Sequence, residues 1–391
     1  MSAKSAHLFR RCVFVLALLV CLVLSTWAVS SPVQAAPTRE PAKSPPFAAK
    51  LKPLLLAKMQ QLQILGALVY VNVPGQGSWT TALGRADLTT HAPPDLQGYY
   101  RIGSITKTMV ATVVLQLVQA GKLGLNDPIG RYFPQVPNGS HITIREVLNM
   151  TSGLFDYSTD ETFVQTLVTH PHKVWNPKDL LAIAFQHPPY FAPGQDIHYS
   201  NTDYILLGLL IEQLTHRPVA KVLQQRIFAP LDMDHTSLPP RSSAALPSPH
   251  PHGYIFLTPN VPTDVTNWNP SWGWTAGSAI STLHDLNIWA KALATGTLLS
   301  PAMQRQRLTF VPFTIDGQPL FWLGHRVGYG LGIIDFAGMI GHAGDLPGYS
   351  SFVGYDPQKH ATIVVLANNY NASGFIDASM LEMVIQQELF A

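Results

Sequence analysis

A chain of 391 residues that is 47% hydrophobic and 12% charged has the apolar content for a large buried core, which excludes a disordered or fibrous protein. Three of its 25 basic residues, Lys4, Arg10 and Arg11, lie in residues 1–36, where there is no acid, so the rest of the chain carries 22 basic against 23 acidic residues. That balance leaves no electrostatic footprint for nucleic acid or an anionic membrane.

Residues 1–36 read as a signal peptide. Lys4, Arg10 and Arg11 form a positive start, Cys12 to Val29 is apolar and uncharged, and Val33-Gln34-Ala35-Ala36 offers small residues for cleavage. The apolar run is near the lower limit of about 18 residues for a spanning helix, so an uncleaved anchor is the alternative. Either way the expected location is secreted or periplasmic, with ordinary secretion favoured over twin-arginine export. Cys12 and Cys21, the only cysteines, both lie here, so the mature chain has no disulfide, thiol nucleophile or cysteine metal site. Residues 37–46, rich in proline, read as a flexible lead-in to a domain over 47–391.

Ala48 to Leu65 has helical spacing. Ala67 to Val73 and Ser78 to Arg85 flank a Pro74–Gly77 turn and read as a hairpin. Ile105 to Ala120 is apolar nearly all round, the mark of a helix buried in the body of the fold, and Gly121 suits its end. Residues 142–235 read as mostly helical, 236–272 as a long loop, and Thr282 to Ala294 as a helix. Strand character returns in Tyr329 to Phe336, Met339 to Ala343, Tyr349 to Tyr355 and Ala361 to Ala367, before a last helix over Ile376 to Phe390. Strands at both ends around a helical middle predict an α+β fold. One antiparallel sheet is closed by the two termini, a mainly helical insertion covers about 130–275, and a cleft forms between the parts.

Three short segments carry candidate chemistry. Ser104-Ile105-Thr106-Lys107 is the only Ser-x-x-Lys in the chain. Residues at i and i+3 share a helix face, and the start of a helix favours developing negative charge. A lysine in so apolar a helix is costly to bury charged, and a neutral amine beside a hydroxyl is a usable base. The plainer alternative is a capping serine with a snorkelling lysine. Tyr199-Ser200-Asn201 precedes an apolar helix and offers a phenol and an amide; the alternative is a cap and a packing tyrosine. Gly341-His342-Ala343-Gly344 lies on a strand whose small residues let a substrate backbone approach. The N–H after Gly344 is a candidate oxyanion donor, and the alternative is a structurally satisfied histidine. No Gly-x-Ser-x-Gly elbow or phosphate-binding glycine loop is present. His170, His172, His250 and His252 have short metal-like spacings but no recognised ligand set, so no metal or cofactor is expected. Asp156 and Asp203 lie near the motifs without pairing by spacing.

In this order and at these separations, the three segments resemble the serine β-lactamase-like hydrolases. The closest branch holds class C β-lactamases, D-alanyl-D-alanine carboxypeptidases and their esterase and D-aminopeptidase relatives. The likeness runs from about Leu65 to Ala367. It includes Tyr100-Arg101-Ile102-Gly103 before Ser104, Gln119 to Leu123, Ile144 to Leu148, Thr151-Ser152-Gly153-Leu154, Pro193-Gly194, and Pro347-Gly348-Tyr349. The resemblance implies a cofactor-free acyl-enzyme mechanism. Ser104 is the nucleophile, Lys107 its activator, and Tyr199 a proton shuttle whose pKa Lys107 lowers. Asn201 holds the substrate amide, and the N–H groups of Ser104 and Asp345 form the oxyanion hole. His342 stands where many relatives have lysine. Ala343 and Asp345 depart from the hydroxyls and cations with which carboxypeptidases meet a substrate carboxylate. Asp345, if it faces the cleft, would repel that group. This favours an ester, an amide or a substrate with a free amine, small-molecule or peptide. Trp268, Trp272 and Trp274 are candidates for an acyl-pocket wall, or are loop residues folded onto the core. Three other functions stay open: a penicillin- or peptidoglycan-fragment-binding protein with little turnover, a β-lactamase, and a zinc hydrolase using the loop histidines. Oligomeric state is left open.

Overall fold

The computed structural model describes residues 44–258, 260–315, 317–370 and 377–390, and the signal-peptide assignment and residues 37–43 of the lead-in lie outside them. Pro46 at the first helical position opens α1 (Pro46–Leu62), its fixed φ being helix-compatible where no N–H is needed. β1 (Gly66–Val73) and β2 (Gly77–Gly84) form the expected hairpin. α2 (Ile105–Gln119) follows, and every residue from Ile105 to Leu115 is buried. At roughly 1.5–3 kcal/mol per fully buried large aliphatic side chain, this helix is a main source of core stability. The helical region holds α3 (Asn201–Thr215), and the short α4 (Trp274–Gly277) and α5 (Leu283–Thr295) follow it.

The C-terminal part returns to the sheet with β3 (Val311–Pro312), β4 (Gly328–Tyr329), β5 (Ile334–Phe336), β6 (Met339–Leu346), β7 (Tyr349–Asp356) and β8 (Ala361–Ala367), and ends in α6 (Asp377–Phe390). The antiparallel sheet runs β2-β1-β8-β7-β6-β5-β4-β3, so β1 from one end pairs with β8 from the other, Val69 opposite Val365. α1 packs with α6, and α5 packs on β7 and β8. This is the β-lactamase/transpeptidase-like α+β architecture.

Two expectations need correction. Tyr329 to Phe336 is not one strand: β4 and β5 pair as a hairpin, Tyr329 opposite Ile334, because the chain turns back through Gly332 at φ +70°. Residues 236–272 are not all loop: Tyr254–Thr258 and Val261–Asp264 pair with each other, and the first pairs with Asn369–Tyr370. The apolar run Tyr254-Ile255-Phe256-Leu257 carries that strand inside a polar, proline-rich segment. Among the described residues, no helix is long and apolar enough to cross a membrane.

Candidate active site

The geometry starts from one glycine-lined approach. On β6, β5 reaches only Met339–Gly341, so β6 keeps an open edge from His342 to Leu346. The turn before α2 is pressed against that edge. A Cβ on Gly103, which has φ +51°, would lie 2.4 Å from Asp345 N, and one on Gly344 would lie 2.7 Å from Ser104 N. Only glycine permits this closeness, which sets the Ser104 and Asp345 backbones side by side at the start of a helix. Ser351 Oγ ties them further by donating to Ile102 O at 2.8 Å.

Ser104 makes no capping bond to its own helix. Its Oγ instead lies 2.9 Å from Lys107 Nζ, which also donates to Asn201 Oδ1 at 2.7 Å and to Ala276 O at 2.7 Å. The lysine side chain is fully buried and does not snorkel. Burial pulls the Lys107 pKa down from 10.5 to about 7, against the opposing influence of Asp156 and Asp203. A near-neutral amine touching a hydroxyl is positioned to take its proton. The Lys107 nitrogen sits 4.8 Å from the Tyr199 ring centre. Burial raises the Tyr199 phenol well above its ordinary pKa, and a hydrogen bond with Ser104 works against that rise. The expected lowering of the Tyr199 pKa therefore needs correction in its net direction: burial outweighs what lowers it.

Asn201 opens α3 directly after Ser200, which makes no side-chain cap. Its Nδ2 donates to Ser158 Oγ at 2.9 Å and Asp156 Oδ2 at 3.2 Å, so both ends of the amide are engaged by the protein. Ser158 and the Ala276 carbonyl are not singled out by sequence, which notes Asp156 only as lying near the motifs. Asp156 follows the Thr151–Leu154 segment closely enough to have been a signal, whereas a backbone carbonyl leaves none. His342 meets Tyr329 Oη at 3.2 Å and is pushed by burial to a pKa of about 3, so it stands neutral.

These groups open into a cavity of about 520 Å3. Ser104, Tyr199, Asn201, His342, Ala343 and Asp345 all line it, with Phe191, Phe313 and Trp272 supplying apolar wall. Gly344 supports it from behind through its contact with the Ser104 turn. Among the described lining residues there is no lysine or arginine, but there are two acids, Asp196 and Asp345. Of the three tryptophans, Trp272 alone reaches the cavity, while Trp274 is buried in the core. The loop histidines serve local contacts, such as His252 with Asp264 at 2.6 Å, and no metal-ligand cluster occurs among the described residues.

A sequence model of the Beta-lactamase family matches residues 51–381. The chain belongs to that family. Its fold is similar to that of a D-stereospecific amidohydrolase from Streptomyces sp., at 32% identity and TM-score 0.76, covering 88% of this chain and 98% of that one. It is also similar to D-amino acid amidase from Ochrobactrum anthropi, at 26% identity and TM-score 0.74, covering 87% and 97%. Among curated proteins it is 26% identical to penicillin-binding protein 4* of Bacillus subtilis over 73% of this chain and 64% of that one. The chain spans less than two thirds of the length of the curated relatives it matches first.

Proposed function

We propose that the protein is an exported hydrolase that cleaves amide or ester bonds through an acyl-enzyme on Ser104, with amides, peptides or esters of D-amino acids as favoured substrates. The observation that carries the reading is the 2.9 Å contact of the buried Lys107 amine with Ser104 Oγ. Lys107 takes the hydroxyl proton as Oγ bonds to the substrate carbonyl carbon. The tetrahedral oxyanion accepts from the N–H groups of Ser104 and Asp345, each worth roughly 3–4 kcal/mol in such a site. Tyr199, held protonated by burial, gives its proton to the departing amine or alkoxide and recovers one from the protonated Lys107. Water then attacks the ester by the reverse relay. Similarity to a D-stereospecific amidohydrolase and a D-amino acid amidase supports the substrate class. The basic, then apolar leader supports export, testable by the N-terminal mass of the exported protein.

Intact-mass spectrometry after exposure to esters, D-amino acid amides and β-lactams tests the mechanism. A mass gain equal to the acyl group, lost with time and absent in Ser104→Ala, is expected. Turnover surviving in a folded Ser104→Ala would sink it. A β-lactam adduct that persists while esters and amides leave no trace would favour the second reading, a penicillin-binding protein with little turnover, which the similarity to penicillin-binding protein 4* supports.

A further inference from the structure

Asp345 lies opposite Ser350 in the β6–β7 pair, and Ser350 Oγ accepts from Ala378 N at 3.1 Å. Asp345 and the first turn of α6 therefore meet on the same face of the sheet. Ser379 follows there and is 4% exposed. Both residues line the catalytic cavity, together with Met380, Trp322 and Phe336.

Asp345 Oδ1 and Ser379 Oγ are both buried and have no hydrogen-bond partner among the described residues. Leaving a buried acceptor unpaired is costly, more so when it is charged, so two of them in one cavity wall call for a donor to arrive. Neither lysine nor arginine stands among the described lining residues to serve. Asp377 is close enough to oppose ionisation of Asp345, and burial raises the Asp345 pKa well above the ordinary carboxylate range. A positively charged donor reverses that balance.

We propose that Asp345 and Ser379 form an acceptor pair for a substrate ammonium group, so that the enzyme's substrates are amides or esters with a free amine close to the reacting carbonyl. The proximity follows from Asp345 itself. Its backbone N–H is the assigned oxyanion donor and its carboxyl the assigned ammonium acceptor. One residue thus spans both, and the amine sits within a bond or two of the carbonyl carbon. The inference rests on the acyl-enzyme reading for the place of that carbonyl.

Calorimetric binding of D-phenylalaninamide and of 3-phenylpropanamide, which lacks only the amine, tests it on full-length Ser104→Ala, where neither amide is consumed. At least tenfold tighter binding of the amine is expected. Adding Asp345→Asn should bring the ratio to near one, and Ser379→Ala should lower it at least threefold. A ratio near one without these changes, a ratio that survives both, or no binding of either amide at millimolar concentration overturns the inference. Should Asp345→Asn lose its cooperative thermal transition, Ser379→Ala decides. Acylation of Ser104 by a simple ester requires no amine, so failure here leaves the mass-shift experiment able to succeed or fail separately.

Discussion

Lys107 Nζ donates to Asn201 Oδ1 at 2.7 Å, and the opposite end of that amide is held by Asp156 and Ser158. Asn201 is thus committed to the lysine before any substrate arrives. Its orientation is settled by chemistry, because Nδ2 faces oxygen acceptors and Oδ1 faces an amine.

Asn201→Ala is therefore expected to act on turnover. The amine loses one of its three acceptors and its aim at Ser104. We expect kcat to fall about 10²–10³-fold, within the usual contribution of positioned proton transfer, with KM little changed. Steady-state kinetics on a chromogenic ester decide the point. A rise in KM at constant kcat would return Asn201 to the role of substrate holder.

Activity should climb as pH rises through about 7, because the working form of Lys107 is the neutral amine and burial brings its pKa there. Asp156 raises that pKa, so Asp156→Asn should move the rising limb of kcat/KM to lower pH. A pH series on both proteins measures it. A limb that stays in place in the variant would mean Asp156 carries no charge felt by the lysine.

Gly344→Ala should damage the oxyanion site and spare the fold. The added Cβ would lie 2.2 Å from Ile102 O and 2.7 Å from Ser104 N, so the strand edge must move away from the turn. Loss of one donor alone costs about 10²–10³ in kcat. Kinetics alongside a thermal melt check this, and unaltered turnover would show that the edge and the turn are not coupled.

Substrates ending in a free carboxylate should be poorer than their amide or ester counterparts. His342 is neutral, and the described cavity wall offers acids and no lysine or arginine. We expect kcat/KM to favour the neutral member of each pair by about tenfold or more, since a carboxylate entering this cavity leaves water and finds no lysine or arginine to pair with it. Preference for the acid would place an unrecognised cation in the site.

Much of this protein was determined by sequence alone. The apolar run of α2 could only be a buried helix, and a lysine three residues after Ser104 in that run had to share its face with the serine. The end-to-end sheet followed from strand patterns at both termini. The β4–β5 hairpin and the strands within 236–272 were hidden because both are short, and short strands are set by partners far along the chain. Tertiary structure alone decided the environment of each charge. Asp156, Asp203 and the Ala276 carbonyl reach Lys107 from separate segments. Burial sets the pKa values of Lys107, Tyr199 and His342, and it exists only once those segments pack. Spacing along one helix aligns an amine with an alcohol; the depth at which the pair sits depends on the whole fold.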